Sequence, residues 1–164
     1  MTRLAPAPVL TLALLVLAAA PLAARESLGV YESWAAFKDA KPQRCYAIAK
    51  AQGTAPAPAY ATISNWPDKG VRGTVHLVLS RDVADKSAVR LVVGNQRFTL
   101  VAKGRNAWAK DAAGDASIVA ALRSAARMSV SAKSTRGGNF TDRYTLAGAA
   151  TAMDAATVGC AQRR

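Results

Sequence analysis

The stretch Thr135–Cys160, TRGGNFTDRYTLAGAATAMDAATVGC, passes from turn residues into a two-residue hydrophobic period and then into a helical one. Arg136-Gly137-Gly138-Asn139 is turn chemistry, because Gly and Asn tolerate positive φ. Phe140 to Leu146 then alternates apolar and polar residues, as a half-buried strand does. From Leu146 the spacing lengthens. Leu146, Ala149, Met153, Ala156 and Cys160 follow at steps of three and four, which places them on one face of a helix. That face is mostly small side chains, so the helix can lie close against a sheet with Cys160 aimed inward.

Upstream of this stretch the chain reads as short strands separated by turn signals. Leu28 to Phe37 is apolar and aromatic and is expected to enter as one strand. Arg44 to Ala49 is a second, with Cys45 and Ala47 on one face and Tyr46 and Ile48 on the other. Tyr60 to Asn65 is a third, stopped by Trp66-Pro67-Asp68-Lys69-Gly70. Thr74 to Leu79, Val89 to Val93 and Arg97 to Val101 are β-branched and apolar, and Gly94-Asn95 between the last two suits a tight hairpin. Ala107 to Ala109 and Met128 to Ala132 complete nine strands. Asp111 or Asp115 is placed to cap a helix over about 115–126, and the second helix is expected over about 147–159. Nine strands and two helices without a βαβ rhythm predict a mainly β protein, an antiparallel sandwich or barrel-like domain carrying two α-helices.

The first 24 residues read differently. Arg3 precedes an apolar run from Val9 to Ala20, and small residues lead up to Arg25, the pattern of a signal peptide cleaved after Ala24. The run is too short to serve as a retained transmembrane anchor. The expected mature chain, 25–164, is one domain of about 140 residues. The whole sequence carries 22 Lys and Arg against 10 Asp and Glu, a net charge of +12, and loss of Arg3 with the leader leaves +11. Such a balance favours an anionic envelope component or an acidic protein as partner, or serves solubility alone. Cys45 and Cys160 are the whole cysteine inventory, and an even count in an exported chain predicts a disulfide; two buried free thiols are the alternative. Two distant cysteines and the single histidine, His76, are too few ligands for a metal site, and no cofactor motif is present.

No catalytic constellation emerges. His76 lies mid-strand between Val75 and Leu77, without a nucleophile elbow or a free cysteine to pair with, and reads as an ordinary sheet histidine. Asp68, Asp82, Asp85, Asp111 and Asp115 sit at turns or caps, and Asp154 on the terminal helix is expected to face solvent. Gly137-Gly138 lacks the helix start and Lys-Ser/Thr of a phosphate loop. Tyr31, Trp34, Tyr46, Tyr60, Trp66 and Trp108 beside basic residues could form a base-stacking platform, but aromatics in small sheets pack as core and cross-strand pairs, so no nucleic acid is expected.

Tyr31-x-x-Trp34 followed by Arg44-Cys45-Tyr46-Ala47-Ile48 resembles the start of the invasion-associated locus B family of exported bacterial proteins. Ile118-Val119-x-x-Leu122, Met128-x-Val130, Arg136-Gly137, Asp142-x-Tyr144-x-Leu146-x-Gly148 and Cys160 are similar to that family's second half. The resemblance implies a periplasmic or surface-exposed β-rich protein, and it brings no established catalytic residues. Family members usually carry a cysteine soon after the Trp, where this chain has Ala35-Ala36-Phe37-Lys38. That departure leaves Cys45 and Cys160 to pair with each other. The leading expectation is a non-enzymatic periplasmic or secreted protein that binds an envelope component or acidic partner; the alternative is an envelope hydrolase or periplasmic inhibitor with a site built from loops.

Overall fold

A computed structural model describes residues 25–53 and 56–161; the leader expected over residues 1–24 lies outside them. The strands are β1 (Glu26–Tyr31), β2 (Trp34–Asp39), β3 (Arg44–Lys50), β4 (Tyr60–Trp66), β5 (Val71–Val78), β6 (Val89–Val93), β7 (Gln96–Lys103), β8 (Asn106–Trp108), β9 (Arg127–Lys133) and β10 (Asn139–Thr145). Two helices, α1 (Ala112–Leu122) and α2 (Ala149–Ala161), follow β8 and β10. Every strand pairing is antiparallel, and the ten strands form one sheet in the order β1-β2-β3-β4-β5-β8-β7-β6-β9-β10. The protein is mainly β, as expected, and with β1 and β10 as its edges the sheet is open and not a closed barrel. It curls nonetheless. Trp34 Nε1 donates to the Thr145 carbonyl at 3.0 Å and the Gln52 amide to the Arg143 carbonyl at 2.8 Å, which brings β10 onto β2 and the end of β3.

One expected strand is two. Leu28–Phe37 contains no Gly-Asn or proline signal to divide it, yet Tyr31 pairs with Trp34 around a tight Glu32-Ser33 turn in which Glu32 has φ +52°. The reversal is fixed from outside the segment. Trp34 is 1% exposed and anchored by its bond to Thr145, a contact that local propensity does not encode.

The helix boundaries also shift. Asp111, not Asp115, caps α1 by accepting from the Gly114 amide at 2.8 Å, so the helix spans 112–122 instead of 115–126. The Asp115 carboxylate accepts from the Val75 amide at 2.8 Å and ties the helix to β5. α2 starts at Ala149 instead of 147 because Gly148, at φ +85°, makes the corner. A Cβ on Gly148 would overlap the Tyr31 carbonyl, so only glycine fits there.

Leu146, Ala149, Met153, Ala156 and Cys160 are all buried, as their spacing predicts. They lie on β1–β4, and Gly159 brings the helix against Leu28. Asp154 points outward and pairs with Arg123 Nη2 at 2.7 Å. Because the buried face of α2 is chiefly alanine, it removes little apolar area from water, and Met153 is the one large apolar side chain it buries. A covalent link supplements it. Cys45 in β3 and Cys160 in α2 form a disulfide, with Cα atoms 5.7 Å apart. Among the described residues, no helix is long and apolar enough to cross a membrane.

A basic and aromatic candidate site

Alternation along β3 turns Cys45, Ala47 and Ala49 toward α2 and sends Arg44, Tyr46 and Ile48 to the opposite face. Strand register then decides what they meet. Phe37 of β2 stands opposite Tyr46, Asp39 opposite Arg44, and Tyr46 opposite Ser64 of β4. Trp66 closes β4 and leads into a short turn, Pro67–Lys69, that carries Lys69 back over it. Arg25, just before β1, reaches the same patch.

The result is a ladder of alternating cations and rings. The Arg44 guanidinium lies 4.1 Å from the Tyr46 ring centre and 5.1 Å from that of Trp66. Lys69 Nζ is 4.9 Å from the Trp66 ring, and the Arg25 guanidinium stands 5.7 Å from both Phe37 and Tyr46. Each such contact stabilises by about 0.5–1 kcal/mol where exposed and more where water is excluded. Arg44 also donates from Nε and Nη2 to Ser64 Oγ, at 3.1 and 3.0 Å, so its plane is held on two sides.

The charges here do not balance. Asp39, the carboxylate that lines the cavity beside the ladder, accepts from Arg25 Nε at 3.2 Å. Arg44 has no ion pair among the described residues, and burial pulls its pKa down from the ordinary value while the Asp39 charge opposes the shift. Burial, with Asp39 adding to it, pushes the Tyr46 phenol up, so Tyr46 stays neutral and presents a ring rather than an anion. Beside the ladder opens a cavity of about 430 Å³ lined by Arg25, Asp39, Lys41, Pro42, Arg44 and Trp66. A pocket edged by a partly desolvated, preoriented guanidinium and further cations is suited to an anionic group carried on a ring or chain that can rest against Trp66.

Of Tyr31, Trp34, Tyr46, Tyr60, Trp66 and Trp108, only Tyr46 and Trp66 take part. Trp34 is core, and Tyr31 turns its hydroxyl to the Leu28 carbonyl. Phe37, Arg25, Arg44 and Lys69 come from four segments, and no spacing in the chain shows that they meet. His76 lies on the same outer face of the sheet further along; its Nε2 pairs with Asn106 Oδ1 at 3.0 Å, an amide and not a carboxylate. Among the described residues no three His, Cys, Asp or Glu side chains gather as a metal ion would require.

No protein-family model matches the sequence, and no curated protein does. Among solved structures, the chain is similar to the crystal structure of invasion associated protein B from Bartonella henselae, with a TM-score of 0.59 over 82% of this chain and 98% of that one. The two are 17% identical over the match, so what they share is the fold. The chain thus has the fold of invasion associated protein B, that of the family its scattered residue pattern resembles.

Proposed function

We propose that the protein is an exported, non-enzymatic envelope protein related distantly to invasion associated protein B, and that it binds an anionic envelope component through the Arg25–Arg44–Lys69 ladder. The observation that carries this reading is Arg44: a guanidinium fixed between two rings, partly desolvated, and with no ion pair within 4.0 Å among the described residues. An anionic ligand would supply the missing partner. Export is supported by the leader-like N-terminus and by the Cys45–Cys160 disulfide, since such bonds persist in oxidising compartments. The net positive charge adds long-range attraction toward lipopolysaccharide or anionic lipid.

The test is co-sedimentation of the chain beginning at Arg25 with lipopolysaccharide and with phosphatidylglycerol or phosphatidylcholine vesicles, at low and high salt. Binding to the anionic preparations that weakens with salt, and falls roughly tenfold in Arg44→Gln with Lys69→Gln, is the expected result. Equal binding to neutral and anionic vesicles, or none to either, refutes it.

A further inference from the structure

A second cluster of cations lies at the far end of the same sheet. β3 is seven residues long, which separates the strand ends by about 20 Å. Beyond that end, Ser80 and Arg81 follow β5, Arg105 forms the turn between β7 and β8, and Ser134 to Arg136 begin the turn between β9 and β10. These segments close around a cavity of about 200 Å³, with Pro56 and Ala57 on its remaining side.

Three features make it more than a group of surface arginines. Arg105 is half-buried and immobilised by main chain alone: Nε donates to the Leu79 carbonyl and Nη2 to the Pro58 carbonyl, both at 2.6 Å. Carbonyls hold it without neutralising it, and a guanidinium has five N–H donors, so several remain for a ligand. Neither Arg105, Arg81 nor Arg136 has an ion-pair partner within 4.0 Å among the described residues, so three arginines line one cavity without a direct ion pair. Ser80 and Ser134 are buried and line the same space, and the Ser134 hydroxyl accepts from the Arg136 amide at 3.3 Å. Two carboxylates stand nearby. Asp82 is exposed at the rim, and Asp142 is buried and accepts from the Ser80 amide at 2.9 Å. Three cations against two anions leave room for another negative charge, and the cavity has the size for one oxyanion group rather than for a large ligand.

We propose that this pocket binds a phosphate-type oxyanion, with Arg81, Arg105 and Arg136 as its donors. Guanidinium groups make paired N–H bonds to such oxygens, and the Ser80 and Ser134 hydroxyls can donate between them. The turn Arg136-Gly137-Gly138-Asn139 is then the device that carries Arg136 over the cavity, with Gly137 N bonded to the Ser134 carbonyl at 2.9 Å.

The probes are inorganic phosphate and glucose 1-phosphate, titrated by calorimetry and by amide chemical shifts at low salt. Saturable binding with a Kd of about 1 mM or tighter is expected, weakened at least tenfold in Arg81→Gln and in Arg136→Gln. Both side chains are exposed and make no side-chain hydrogen bond among the described residues, so the variants should stay folded. Arg44→Gln, at the ladder, should leave this binding unchanged, which separates the pocket from the envelope-binding reading. Binding of inorganic phosphate identifies the free anion as sufficient; binding of the sugar phosphate alone identifies a phosphorylated glycan or lipid headgroup. No saturable binding of either probe, or binding that both arginine variants retain in full, overturns the proposal.

Discussion

Replacing both cysteines, Cys45→Ala with Cys160→Ala, removes a cross-link whose ends are 115 residues apart in sequence. In the chain-entropy treatment, closing a loop of that length lowers the entropy of the unfolded chain by about 16 cal/mol/K, or about 4.8 kcal/mol at room temperature. That figure is a large share of the roughly 5–15 kcal/mol by which a domain is ordinarily stable. The structure gives a reason for the dependence: α2 packs chiefly through alanine and glycine, with Met153 its one large buried side chain, so it has little apolar area with which to hold itself to β3. The assay is urea unfolding of parent and variant under non-reducing conditions. With an m-value of about 1.5–2 kcal/mol/M, the midpoint falls by roughly 2–3 M, and m itself rises because the unlinked chain unfolds to a more exposed ensemble. Should the variant be unfolded without urea, the parent's own stability must lie below about 5 kcal/mol, which its unfolding curve reports directly. A loss under about 1 kcal/mol with unchanged m would refute the reasoning, since the disulfide would then constrain nothing that packing does not already hold.

Gly148→Ala places a methyl group against the Tyr31 carbonyl at a positive φ, and should cost at least about 2 kcal/mol; thermal unfolding with no loss would show that the corner before α2 yields easily. The Tyr144 hydroxyl is buried with no hydrogen-bond partner among the described residues, and burial pushes its pKa up. Tyr144→Phe should therefore raise stability by about 1 kcal/mol, and a loss in urea unfolding would mean that the hydroxyl is bonded in solution. Burial also pushes the Asp115 carboxyl above its ordinary value of 3.8, against the bond from the Val75 amide. The folded protein then holds that proton more tightly than the unfolded chain, so the group's contribution to stability falls as pH rises from the unfolded value through the raised folded one. Asp115→Asn keeps an acceptor for Val75 and does not titrate, so its stability relative to the parent should improve from acid to neutral pH; a gap that stays constant across that range refutes the assignment.

Hydrophobic period and turn chemistry are local properties, and the chain alone suffices to read them. The strand at Phe140, the inward face from Leu146 to Cys160 and the Gly94-Asn95 hairpin were legible because each rests on residues a few positions apart. The two cysteines pointed to their pairing by number alone. Burial of Trp34 against Thr145 split the first strand in two, and the choice of Asp111 over Asp115 as cap depended on where β5 lies. Strand order was out of reach, because β8 beside β5 reverses the chain's own sequence and no propensity encodes which edges meet. The same is true of both cation clusters. Basic residues look evenly dispersed along the chain; only strand register sets Arg44 between Tyr46 and Trp66, and only the convergence of three turns gathers Arg81, Arg105 and Arg136. Charge is written in composition, but its concentration at a point is a long-range property, and only the tertiary structure could decide it.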